Sequence, residues 1–180
     1  MLRPATPADL DDLAEFLRAA DLTVAALAEP AVHLWLERDD TGAVAATTGF
    51  ELGADGGHAL VRSVAVRPDL RGAGDGLRLA RFALDRAADA GAREAWLFSR
   101  RSGGFWQKLG FGPTTTQELA AALPDAHQVA LFRSTGQLDR EVAWRRRLPV
   151  PEPELVPGPG PGPAQKTEPA PGPVRASFTA

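Results

Sequence analysis

The chain has 180 residues, 44% hydrophobic and 24% charged, with a formal net charge of −3. That is enough for one domain with a real core, and it lacks the basic footprint of a protein that binds nucleic acid or an anionic membrane. There is no cysteine, so disulfides, thiolate nucleophiles and zinc–thiolate sites are excluded, and no metal is expected. No uninterrupted apolar stretch approaches roughly 18 residues, and the N-terminus has no basic segment leading into an apolar run. Neither a membrane span nor a signal peptide is expected, and the cytoplasm is the default location.

Leu2 to Ala5 reads as a short strand. Thr6-Pro7-Ala8-Asp9 starts a helix: Thr6 can cap, Pro7 suits the first helical position and Asp9 sits in the first turn. Leu10, Leu13, Ala14 and Leu17 recur at helical spacing and carry that helix to about Ala20. A second short helix is expected over Val24 to Leu27, stopped by Pro30. Ala31 to Arg38 alternates as a strand, turns at Asp39-Asp40-Thr41-Gly42 and returns through Ala43 to Leu52. Asp55-Gly56-Gly57 turns the chain again, and Ala59 to Val66 forms a third long strand. After Gly76, Leu77, Ala80, Leu84, Ala87 and Ala88 mark one face of a helix that Gly91 ends. Glu94 to Ser99 is a short strand and Ser102 to Leu109 a short helix. A strand through Thr116, a helical piece from Glu118 to Ala122 and a last strand from Glu141 to Leu148 follow. From Pro149 to Ala180 the chain is Pro-Glu and Pro-Gly repeats with almost no large apolar residues, which predicts a disordered tail behind a domain of residues 1–148. Without the tail's three acids and two bases, 20 acids face 18 bases.

The stretch Val64-Ala65-Val66-Arg67-Pro68-Asp69-Leu70-Arg71-Gly72-Ala73-Gly74-Asp75-Gly76-Leu77 carries the most information. A strand, a glycine loop and a helix N-terminus in that order make an anion site: backbone N–H groups approach a phosphate and the helix dipole adds positive charge. Arg71 supplies a cation suited to phosphate. A Walker A loop would end in Gly-Lys-Ser/Thr, where this chain has Asp75-Gly76-Leu77. A dinucleotide fingerprint needs G-x-G-x-x-G, whereas Gly72, Gly74 and Gly76 are spaced G-x-G-x-G. Arg71, Gly74 and Gly76 fill the pattern Arg/Gln-x-x-Gly-x-Gly/Ala, which resembles the acetyl-CoA loop of the GNAT N-acetyltransferases. A plain glycine turn remains the alternative for the loop alone. Further on, Phe105-Trp106-Gln107-Lys108-Leu109-Gly110-Phe111 resembles the superfamily's Phe-Tyr-x-x-x-Gly-Phe motif, at the right separation and in the right order. Leu60 to Val66, preceded by Gly49-Phe50-Glu51, is loosely similar to the arsenic-resistance-associated branch, which points to small, amino-acid-like substrates. The Cys-Pro element frequent in that branch is absent, and Thr135-Gly136-Gln137 stands there.

The resemblance runs from about Leu2 to Leu148. It implies an α/β GNAT (acyl-CoA N-acyltransferase) fold with a central mixed, mostly antiparallel sheet flanked by helices. It also implies acetyl-CoA as cosubstrate and direct transfer to the amine of a small molecule. The pantetheine arm would bond backbone groups near Val64, Ala65 and Val66, and the pyrophosphate would sit on the N–H groups of Arg71, Gly72, Ala73, Gly74, Asp75 and Gly76. Asp75 is discordant, since a carboxylate turned toward a pyrophosphate would weaken binding by about 1 kcal/mol or more. Glu51 is the candidate base, and Arg62 the candidate for an anionic group on the substrate, placed by ideal strand parity on the face of Val64 and Val66. His33, His58 and His127 are scattered without matching partners and read as structural or surface residues. Trp35, Trp96 and Trp144 read as packing aromatics. Many relatives carry a tyrosine as general acid in the penultimate motif, and this chain has none. Trp106 stands in its place; its N–H can donate a hydrogen bond to substrate but is no acid near neutral pH. Ser99, Ser102 or water could protonate the thiolate, or a thiolate of ordinary pKa near 8.5 could leave with little help. The remaining alternative is a non-catalytic acetyl-CoA-binding or partner-binding domain. A homodimer is left open, because a final strand in this fold can pair or swap between subunits.

Overall fold

A computed structural model describes residues 1–149; the expected Pro/Gly-rich tail lies outside the described residues, apart from Pro149. The chain runs β1 (Arg3–Pro4), α1 (Leu10–Ala19), β2 (Val32–Arg38), β3 (Val44–Leu52), β4 (His58–Val66), α2 (Asp75–Asp89) and β5 (Glu94–Phe98). Then follow α3 (Gly103–Lys108), β6 (Gly112–Thr114), α4 (Thr116–Ala122), α5 (His127–Ser134) and β7 (Ala143–Arg147). The strands form one seven-stranded sheet in the order β1-β2-β3-β4-β5-β7-β6, antiparallel throughout except for β4 with β5. The mixed, mostly antiparallel α/β sheet expected from the sequence is therefore present. β7 pairs with β5 and β6 of its own chain.

Alternation along the strands splits the apolar residues between two layers. Phe50, Ala59, Val61, Ala95 and Leu97 pack against Ala80, Ala83, Leu84 and Ala87 of α2 and Trp106 of α3. On the opposite face Leu60 and Trp96 meet Leu119, Leu123 and Val129 of α4 and α5, while Val32 and Leu34 meet Leu13 and Leu17 of α1. Thr6 does open the first helical segment: its backbone N–H donates to Asp9 at 2.9 Å, and a 3-10 turn over Pro7–Asp9 leads into α1. The expected helix at Val24–Leu27 is absent, and the chain there is a series of turns with Ala26 at φ +57°. That segment is too short to nucleate a helix without an amphipathic partner face. α5 was not predicted, because Asp125 to Ser134 has no clean apolar stripe; within α5 itself Val129 and Phe132 are the buried residues.

Two irregularities in β4 position the site. Its ladder with β5 spans three rungs, from His58–Glu94 to Leu60–Trp96, and then ends, although β4 runs on to Val66. The two parallel strands splay from that last rung. On its other edge, the register with β3 slips between Thr47 and Gly49, so that Ser63 and Val64 stand opposite Thr48. Ser63 occupies the left-handed region at φ +58°, and the Thr47 hydroxyl donates to its carbonyl at 2.7 Å. This bulge turns Val64 to the α2 side with Val61, leaving Arg62 on the opposite face. Ideal parity had put Arg62 on the face of Val64 and Val66; the extra residue reverses it.

Candidate active site

At the mouth of the splay, β4 ends at Val66 and a 3-10 turn over Pro68–Leu70 leads to Arg71. Arg71 Nε donates to the Val66 carbonyl at 3.0 Å, which fixes the guanidinium over the end of the strand. Gly72 and Gly74 both have positive φ, +110° and +85°, and a Cβ on either would point into open space. Gly74 is the N-cap of α2. Among the described residues, none of the backbone N–H groups from Gly72 to Gly76 donates to a protein acceptor. Together with the first turn of a 15-residue helix, they make a basin of donors suited to a phosphate. Asp75 does not close it, since its carboxylate bonds Arg78 at 2.9 Å, and Arg78 in turn bonds Glu37 at 2.7 Å. Those pairs hold the carboxyl of Glu37 below its usual range and keep the charge of Asp75 compensated.

Near the vertex of the splay, on the face away from α2, three residues meet. Glu51 pairs with Leu60 across β3 and β4, and Leu60 forms the last β4·β5 rung. Glu51 is 1% exposed. Its Oε2 accepts from Arg62 at 3.2 Å, and its Oε1 accepts from the backbone N–H of His127 at 2.6 Å and lies 2.7 Å from His127 Nδ1. Arg62 also donates to the Ala25 carbonyl at 2.6 Å, tying down the turn region after α1. Burial pushes the Arg62 guanidinium below its usual range, and the Glu51 carboxylate opposes that shift. Among the described residues, the buried side-chain polar atoms without a partner are Arg62 Nε, Ser63 Oγ and Trp96 Nε1. All three lie on or within three residues of the Leu60–Trp96 rung in sequence.

The other residues singled out from the sequence spread around this frame. Ser99 follows β5 at the open end of the splay; its Oγ accepts from Ser102 N–H at 3.2 Å and its carbonyl from Trp144 Nε1 at 2.9 Å. Trp106 is 7% exposed and stacks edge-on with Phe105 and Phe111 in the core beneath α3. Phe105 lies beside the glycine loop, 3.7 Å from where a Gly76 Cβ would be. Trp35, Trp96 and Trp144 pack as expected. His127 was missed as a partner of Glu51, because the two lie 76 residues apart and no local pattern links them.

The Acetyltransferase (GNAT) family model matches residues 2–111, well over half of the chain. The chain belongs to the GNAT acetyltransferase family. Solved structures agree with this GNAT fold. An N-acetylglutamate synthase from Neisseria gonorrhoeae, complexed with coenzyme A and N-acetyl-glutamate, has a TM-score of 0.65 at 20% identity over 83% of this chain. That match covers 35% of the synthase, so the chain spans about a third of its length. A Mycobacterium tuberculosis protein in complex with CoA gives a TM-score of 0.65 at 16% identity, covering 83% of this chain and 99% of its own. An aminoglycoside 6'-N-acetyltransferase complexed with coenzyme A gives 0.61 at 13% identity, covering 84% and 99%. No curated protein sequence matches. Among the described residues of this GNAT domain, no group of three or more metal-ligating side chains forms, and no helix is long and apolar enough to cross a membrane.

Proposed function

We propose that residues 1–148 form an acetyl-CoA-dependent N-acetyltransferase that moves the acetyl group directly to the amine of a small molecule. One observation carries this reading: the β4·β5 ladder ends at Leu60–Trp96 while β4 runs on into a glycine loop whose N–H donors lack acceptors among the described residues. The free edge of β4 from Val61 to Val66 offers a pantetheine amide its backbone groups, and Arg71 with Gly72 to Gly76 takes the pyrophosphate. The CoA complexes among the structural neighbours support the choice of ligand. Acetyl-CoA supplies an activated acyl group as a thioester; the protein contributes position, polar contacts and a route for protons. Glu51 and Arg62 at the vertex are the groups nearest the expected acyl end. Ser99, at the open end of β5, or water delivers a proton to the departing thiolate.

A second reading, binding without chemistry, is favoured by the missing tyrosine and by the burial of Trp106, the residue in its place. Calorimetric titration of acetyl-CoA into the protein tests binding, with Arg71→Ala/Gly74→Val as the control expected to lose it. Thiol release over a panel of α-amino acids, aliphatic amines and aromatic amines then separates the two readings. Micromolar binding with amine-dependent release supports the transferase. Binding without release for any amine supports the non-catalytic domain, and no binding by a folded protein overturns both.

A further inference from the structure

We infer that His127 is the proton acceptor of the transfer, held in its working tautomer by Glu51; the inference rests on the transferase reading above. The hydrogen bonds around Glu51 favour one tautomer. Glu51 Oε2 faces Arg62, which has only donors, and Oε1 already accepts a backbone N–H. With the Arg62 guanidinium on one oxygen and a backbone N–H on the other, Glu51 is placed to be a carboxylate, which can only accept, and His127 Nδ1 then carries the hydrogen on the 2.7 Å contact. That leaves Nε2 as a lone-pair acceptor. A carboxylate bonded to one ring nitrogen orients the imidazole and stabilises its cation once a proton arrives on the other.

Placement fits that role. Glu51 itself is enclosed and fully engaged, so it cannot reach an amine directly. The His127 ring stays 41% exposed, open to acceptor and to water. Its anchor sits one strand spacing, about 4.8 Å, from the last β4·β5 rung. The Ala25 turn, pinned by Arg62, lies over the same face. Glu51 from β3 touches the ring and Arg62 from β4 stands behind it, while Asp125, exposed, is two residues ahead of α5 in sequence.

The chemistry balances. The amine nitrogen attacks the thioester carbonyl carbon, a C–N bond forms, and the C–S bond breaks with its electron pair leaving on the coenzyme A thiolate. The surplus proton of the amine passes to Nε2 and on to water, and the thiolate takes a proton from water. General-base help of this kind contributes typically about 10²–10⁴-fold.

The test combines a spectroscopic and a kinetic measurement. Long-range ¹H–¹⁵N spectra of the wild-type imidazoles, with His127 assigned by elimination using His33→Gln and His58→Gln, are expected to show the Nδ1–H tautomer. With the panel's fastest amine, His127→Gln is expected to lower kcat about 100-fold while the acetyl-CoA Kd moves less than twofold. His127→Gly is expected to regain much of the lost rate with added imidazole, which a purely structural histidine would not allow. The loss should be larger for amines of pKa near 10 than near 8, since only the former are almost wholly protonated at pH 7. An Nε2–H tautomer, a His127→Gln rate within threefold of wild type, or no imidazole rescue overturns the proposal. A wild type that turns over no amine instead overturns the transferase reading and the proposal with it.

Discussion

At the scale of single residues, the buried Glu51–Arg62 pair decides how the vertex behaves. Both side chains are 1% exposed, so each charge depends on the other rather than on water. Removing one partner strands the other, at a cost of about 3–5 kcal/mol, whereas removing both leaves neutral groups. In urea unfolding, Glu51→Gln and Arg62→Met are each expected to lose about 3 kcal/mol or more. The double variant should lose clearly less than their sum; additive losses would show that the two charges are not coupled. Neither the pairing nor the role of His127 was legible in the sequence. Glu51 was singled out as a candidate base but without its partners, and Arg62 was assigned to the wrong face because ideal strand parity does not include the bulge.

At the scale of elements, the bulge in β4 does what a regular strand could not. It turns Val61 and Val64 to one layer while Arg62 stays on the other, so core and polar cluster coexist on one short strand. The cost sits on Ser63, since a non-glycine residue in the left-handed region is strained by about 1–2 kcal/mol. Its hydroxyl is also buried without a partner. Ser63→Gly is therefore expected to raise stability by about 1 kcal/mol, the relief outweighing the added chain entropy. Ser63→Val should lower it by about 1–2 kcal/mol, because a β-branched residue fits that region worst. Thermal and urea unfolding of both variants check this, and equal effects of the two would rule out backbone strain. Such a bulge leaves little trace in sequence, since a serine inside an apolar run reads as ordinary alternation.

At the scale of the whole molecule, one ion network ties the N-terminus to the sheet. Asp9 bonds Arg3 at 2.6 and 2.8 Å and Arg38 at 2.8 Å, joining β1, the start of α1 and β2. Arg3 foremost, then Arg38 and Thr6, hold its carboxyl far below the usual carboxylate range. A depressed carboxyl stabilises the fold above its unfolded value, about 3.9, and that contribution drains away as pH falls toward its folded value. Asp9→Asn is expected to lower the melting temperature at pH 7 and to flatten the loss between about pH 4 and 2. Melts across that range check it, and an unchanged acid slope would exclude Asp9 as its source. The sequence by itself determined most of the order of elements, apart from the turns at Val24–Leu27 and α5, together with the strand–glycine–helix loop and the aromatic motif that follows, because these depend on neighbours within a turn or two of chain. Only the tertiary structure decided what stands at the vertex: the face of Arg62, the burial of Trp106 and the meeting of Glu51 with His127. Those depend on strand register and on where a helix docks, and side chains 76 residues apart acquire a distance only when the sheet and α5 close on each other.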